Sequence, residues 1–185
     1  MLLLGVAGLL GGYLYTGGPK GYEYLALGDV FVFLLIGPLM VVGSYYSLTG
    51  GVTLTVFLAS LPVDSLVAAI MAVNNHRDAV TDKEAEVRTL SNVAGFRASR
   101  IENLLLPVSA YLVVTLIARF RVLSIWSLLV FLSLPLTIAN LRDIKNSGEE
   151  SARELSYLVV RAAQLHLVFG VLLSTGIAIG ALTGS

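Results

Sequence analysis

The chain has no cysteine, one tryptophan and two histidines among its 185 residues. Without cysteine there can be no disulfide, no thiolate metal site and no cysteine nucleophile. His76 and His166 have no second histidine at ligand spacing, so both read as interfacial or packing residues rather than metal ligands. Charge is also scarce: 13% of residues are Asp, Glu, Lys or Arg, where a soluble domain has about a quarter. The formal net charge is zero, so no global field directs the chain to nucleic acid or to an acidic substrate. A basic n-region and a small-residue cleavage site are both missing at the N-terminus, which argues against a signal peptide. No strand-like alternation and no low-complexity tract is visible.

Apolar residues are abundant, at 56%, with a mean hydropathy of +0.85. A helix needs roughly 20 apolar residues to cross a bilayer. Residues 30–48, 52–73, 101–118, 123–139 and 155–182 meet or contain that length, and residues 2–15 supply a shorter apolar, glycine-rich run. The expected fold is all-α: a single polytopic membrane bundle over residues 1–185, with five complete transmembrane helices and one partial one. Gly17-Gly18-Pro19, Gly50-Gly51 and Arg119-Phe120-Arg121 mark turns. Pro107 marks a kink. Tyr45, Tyr46 and Trp126 suit the bilayer interface. Nine of the twelve basic residues fall in loops on one side, and the positive-inside rule makes that side cytoplasmic.

One stretch on that side holds most of the polar chemistry. Residues 74–90 follow about twenty apolar residues directly. They carry Asn74, Asn75, Arg77, Asp78, Asp82, Lys83, Glu84, Glu86 and Arg88. Asp78 and Asp82 are spaced i, i+4, which on a helix puts them on one face a turn apart. Two carboxylates so placed repel each other and gain from a shared hard cation. Magnesium binds through one or two carboxylates together with substrate phosphates. Arg77 and Arg88 suit phosphate oxygens, and Asn75 adds a neutral oxygen. The pattern points to a magnesium–diphosphate site at a membrane surface. The plain alternative is a solvated loop of mixed charge. Asp64, inside an apolar span beside Pro62, is a second polar feature, and an intramembrane carboxylate is a functional candidate in itself.

Asn74, Asn75, Arg77, Asp78, Asp82, Thr89 and Leu90 spell N-N-x-R-D-x-x-x-D…T-L. This resembles the second aspartate-rich motif of the UbiA superfamily of intramembrane prenyltransferases, most closely the 1,4-dihydroxy-2-naphthoate polyprenyltransferase group of menaquinone synthesis. Tyr15-Thr16-Gly17-Gly18-Pro19-Lys20, Tyr24 and Leu27-Gly28-Asp29 resemble that group's Y-T-G-G-P-K…Y-x-G-L-G-[ED] segment. Arg161, Gln164, Leu165 and Phe169-Gly170 are similar to its last helix. The resemblance implies a fold of nine helices, of which this chain matches the C-terminal two-thirds. It also implies magnesium as cofactor, a polyprenyl diphosphate donor and an aromatic acceptor within the lipid bilayer, with loss of the acceptor carboxylate accompanying prenylation. By position, Asp78 and Asp82 are the implied catalytic residues and, with Asn75, metal ligands. Asn75, Arg77, Arg88, Lys20 and Tyr24 are implied diphosphate contacts. The implied location is the cytoplasmic membrane of a prokaryote, with these loops in the cytoplasm.

The departures are specific. The family's first aspartate-rich motif, N-D-x-x-D, is absent, and Met1 falls inside an apolar run. The expectation is a chain truncated at its N-terminus, or a degenerate half-protein, with weak activity or none by itself. Within D-x-x-x-G-K-x-T-L, Glu86 stands for the glycine and Val87 for the lysine. Val93-Ala94-Gly95 stands where R-L-G is usual, and Asp64 where a small residue is expected. Asn140-Leu141-Arg142-Asp143 echoes residues 75–78 but has Ser147 in place of a second acid. Two alternatives stay open: a small ion-coupled transporter using Asp64, and a non-catalytic membrane protein that keeps the fold.

Overall fold

The structure is a computed structural model that describes residues 2–17, 28–147 and 155–184. Within these residues the secondary structure is helical throughout, with no strand. The chain forms α1 (Leu2–Thr16), α2 (Gly28–Leu34), a π-helical segment (Leu35–Leu39) and α3 (Met40–Thr49). There follow α4 (Leu54–Glu84), α5 (Leu90–Val93) and α6 (Phe96–Arg119). A 3₁₀ segment (Ile125–Ser133) leads into α7 (Leu134–Asn146), and α8 (Ser156–Thr183) ends the described chain. Five helical stretches are long and apolar enough to cross a membrane: Val30–Thr49, Leu54–Glu84, Phe96–Arg119, Ile125–Asn146 and Ser156–Thr183. Gly5–Leu14 is a shorter apolar stretch. The expected count of five spans and one partial span is met.

α4 is the hub, packing against α6, α8, α2, α3 and the π segment. Its start is fixed by Thr53, whose side chain accepts the Val56 N–H at 3.2 Å. That satisfies one of the free donors of the first turn. Between α4, α6 and α8 lies a core of Leu66, Ala110, Val114, Leu165, Phe169 and Leu173, joined by Val130 of the 3₁₀ segment. Tyr111 sits edge-on to Phe169, with ring centroids 5.3 Å apart at 82°. Its hydroxyl meets Ser133 Oγ at 2.6 Å and Thr137 Oγ1 at 2.7 Å. Lipid offers apolar groups the same company as a neighbouring helix, so packing fit and such polar contacts hold membrane helices together. Leu105, Leu112, Leu132, Leu167 and Val171 are exposed on the outside, as lipid-facing residues are.

Two spans differ from plain α-helices. Pro38 has no N–H to donate, and its ring crowds the preceding turn. The helix accommodates it by widening into the π segment. The span expected at 123–139 begins as a 3₁₀ helix, and Ser124 caps it by accepting the Trp126 N–H at 3.3 Å. This narrower segment lies directly against α8. A Cβ on Gly176 would stand 2.2 Å from the Trp126 carbonyl oxygen and 2.9 Å from Ser127 Cα. α6, by contrast, continues as a helix through Pro107.

Asp64 faces the π segment. It is fully buried, and neither carboxylate oxygen has a hydrogen-bond partner. Ser60, one turn earlier, gives its hydroxyl proton to the Phe57 carbonyl at 2.8 Å. The carboxylate occupies the niche left by Gly37, where a Cβ would lie 2.1 Å from Asp64 Cγ. Gly37→Ala is expected to destabilise the bundle by about 2 kcal/mol through overpacking. Asp64→Ala should relieve the clash, so the double variant should melt above Gly37→Ala alone; equal melting of the two would disprove the contact.

Candidate diphosphate site at the end of α4

At about 1.5 Å per residue the 31 residues of α4 extend about 46 Å, against a hydrocarbon layer of about 30 Å. The excess is about three turns, the length of the mainly polar run from Asn74 to Glu84. The stretch read from the sequence as polar from residue 74 is thus helix as far as Glu84 and a turn after it. Asn75, Asp78 and Asp82 fall on one side of this extension, the two acids a turn apart. Asp78 and Asp82 are half-buried. Arg77 grips Asp78 with a two-pronged contact: Nε donates to Oδ1 at 2.7 Å and an NH2 hydrogen goes to Oδ2. The same guanidinium donates to Asn74 Oδ1 at 2.7 Å. The pair is about a quarter to a third exposed, so it contributes no more than about 1 kcal/mol to stability. What it fixes is the place of Asp78.

The helix ends in a Schellman motif. Val87 N–H bonds the Asp82 carbonyl at 2.9 Å, and Glu86 N–H bonds the Lys83 carbonyl at 3.3 Å. Glu86 occupies the left-handed position of this motif, with φ of 59°. A Cβ in this conformation costs about 1–2 kcal/mol, and glycine, which the resembled pattern carries at this position, would avoid that cost. Glu86→Gly is expected to raise stability by about 1 kcal/mol. Glu86→Ala, which keeps the Cβ, should not; equal gains from both would refute the backbone explanation. The segment after the motif is tied down by Asn92. Its Oδ1 accepts the Thr89 N–H at 3.0 Å, and its Nδ2 donates to the Val87 carbonyl at 2.7 Å.

Arg88 is exposed beyond this turn, six residues past Asp82, at the side of the acids' helix rather than on it. Lys20 and Tyr24 lie outside the described residues. Asn75, Arg77, Asp78 and Asp82 therefore come together on one helix end, and Arg88 follows it outside the helix. Asp143, in the echo at 140–143, is committed elsewhere: Arg161 donates to its Oδ2 at 2.6 Å and the Tyr157 hydroxyl at 3.3 Å. No group of three or more His, Asp or Glu residues converges as a metal cage among the described residues. Two carboxylates and an amide oxygen on one face are hard oxygen donors, however. That set fits magnesium held jointly with phosphate oxygens.

The sequence reading missed the polar network behind this face. His76, also on α4, is 2% exposed. Its Nδ1 meets Ser99 Oγ at 3.0 Å and its Nε2 meets Ser147 Oγ at 2.9 Å. Ser99 and Asn103, four apart and so on one face of α6, were the visible signal. Ser147, 71 residues from His76 in sequence, gave none.

A polytopic helical membrane protein that presents an acidic helix end at the bilayer surface is the class this geometry defines. The match to known proteins makes it specific. Residues 1–160 match the UbiA prenyltransferase family, and the chain belongs to that family. It is 31% identical over 182 residues to the 1,4-dihydroxy-2-naphthoate octaprenyltransferase of Bacillus subtilis (strain 168), covering 97% of this chain and 57% of that protein. It is 29% identical over 177 residues to the protein of that name in Haemophilus influenzae, with 96% and 57% covered. It is 30% identical over 177 residues to human UbiA prenyltransferase domain-containing protein 1, with 96% and 50% covered. The chain thus spans about half the length of the curated relatives it matches.

Proposed function

We propose that the chain carries part of the site of an enzyme that transfers a polyprenyl group from its diphosphate to an aromatic acceptor. The observation that carries this reading is the single face of Asn75, Asp78 and Asp82, flanked by Arg77, at the projecting end of α4. Asp78, Asp82 and Asn75 would hold magnesium. When bound, the metal supplies Lewis-acid stabilisation to the departing diphosphate. Arg77 compensates Asp78 in the structure and can turn its fork to phosphate oxygens once a cation replaces it. Arg88, Lys20 and Tyr24 are proposed as further diphosphate contacts from the loops. The apolar helices below the site keep water from an allylic cation.

The printed names of the relatives support 1,4-dihydroxy-2-naphthoate as the acceptor. The loop charges support a cytoplasmic site in a prokaryotic membrane. The transporter alternative is displaced by the family match and by the sealed position of Asp64. Because the chain carries part of the site and spans about half the length of its relatives, the test is an assay of membranes carrying these residues within a full-length family member, supplied with polyprenyl diphosphate and dihydroxynaphthoate. Prenylated product is expected with magnesium and should vanish with excess chelator, returning when magnesium is restored. Product formation indifferent to chelation would overturn the metal assignment.

A further inference from the structure

The polar network behind α4 has a definite direction, and it bears on the acids in front. Ser147 gives its hydroxyl proton to the Ile144 carbonyl at 2.7 Å. Its oxygen is then an acceptor towards His76 Nε2, so Nε2 carries the imidazole proton. Nδ1 must accept, and Ser99 is its donor. Ser99 in turn accepts from Ser91, at 2.7 Å. Every hydroxyl is used once as donor, and the ring is neutral in one tautomer. The chain of contacts ties four elements to one point: α4 through His76, α5 through Ser91, α6 through Ser99 and the end of α7 through Ser147. Phe96 covers the ring, with centroids 4.2 Å apart. Asn103 Nδ2 adds a bond from α6 to the Ala72 carbonyl of α4 at 3.1 Å. The Arg100 guanidinium donates to the Ser147 carbonyl.

His76 lies within the motif it supports. At about 100° per residue, Asp78, Asp82 and Asn75 fall about 160°, 120° and 100° around the helix from it. The anchored face and the acidic face are thus opposed. The projecting end of α4 has little apolar packing to fix its rotation, since Val73, His76 and Ala79 are the last residues buried there. A side chain hydrogen-bonded at both ring nitrogens fixes that rotation. We infer that His76 is a positioning residue: through Ser99 and Ser147 it sets the azimuth at which Asp78 and Asp82 meet the metal–diphosphate. This rests on the proposed diphosphate site.

The test is isothermal titration of the purified chain in detergent with inorganic pyrophosphate in the presence of magnesium. His76→Phe keeps a ring against Phe96 and loses both hydrogen bonds. It should weaken affinity by about tenfold, the scale seen when groups orienting metal ligands are removed. His76→Gln, which can still donate towards Ser147, should recover most of the affinity. Adding Ser147→Ala to His76→Phe should weaken binding no further, because the partner is already lost. If His76→Phe does not fold, Ser147→Ala carries the test and should weaken binding in the same direction. Wild-type affinity in folded His76→Phe, with binding abolished in Asp78→Asn, would overturn the positioning role and leave the diphosphate site intact. Binding that is absent, or unchanged in Asp78→Asn, would overturn the site and the positioning role together.

Discussion

Asp78→Asn is expected to lower magnesium-dependent prenyl transfer about 100-fold, the loss typical when one group stabilising developing charge is removed. The substitution keeps the shape and one oxygen of the side chain. It removes the charge that Arg77 compensates in the structure and that a divalent cation would bridge. Asp82→Asn should act in the same direction, since Asp82 stands one turn on along the same face. Arg77 supplies an internal control. Arg77→Gln leaves Asp78 in place but takes away its two-pronged partner. It should raise the KM for the diphosphate more than it lowers kcat, because it removes binding shared by ground and transition states. The variants are compared at equal protein content in the chelator-and-restoration assay. Asp78→Asn membranes with wild-type turnover would remove Asp78 from the site.

Gly176→Ala is the second large effect, and it acts on folding. The added Cβ would stand 2.2 Å from the Trp126 carbonyl oxygen and 2.6 Å from its carbon. These are backbone atoms of the 3₁₀ segment, so no side-chain rotation relieves the clash. Either α8 moves away from Ile125–Ser133 or that segment distorts. Both disturb the core around Val130, Phe169 and Leu173. The expected loss is about 3 kcal/mol, at the upper end for an overpacked methyl. It is read as a lowered melting midpoint in detergent. The contrast with Gly37 is informative. There the obstacle is the Asp64 side chain, which a second substitution removes; at Gly176 truncating Trp126 to Ala should restore nothing. Rescue of Gly176→Ala by Trp126→Ala would show that the close approach is misplaced.

Much of this was readable from residue types and spacing. Apolar run length is a strong signal because a bilayer demands about 20 residues per helix, and the five spans are where composition puts them. Asp78 and Asp82 were readable because i, i+4 spacing has one meaning on a helix. The helical continuation of α4 through Glu84 was less visible, since charged residues suit a loop and a projecting helix equally. Pro38 and Pro107 illustrate a limit of local reasoning. The first lies in a helix that widens into a π segment, whereas the second lies inside α6 with no such segment. The same limit holds for Gly176, whose reason for being glycine is the backbone at Trp126, and for His76, whose partners come from α6 and the end of α7. Glu86 shows the opposite case. The pattern position alone flagged it as a missing glycine, and the φ of 59° supplies the cause.

The most direct measurement of the central claim is the titration of magnesium into the purified chain with inorganic pyrophosphate, comparing wild type with Asp82→Asn. Saturable binding that requires both magnesium and pyrophosphate, and that is lost in Asp82→Asn, is the predicted result. Equal binding by the two proteins, or none by wild type, would contradict a diphosphate site at the end of α4.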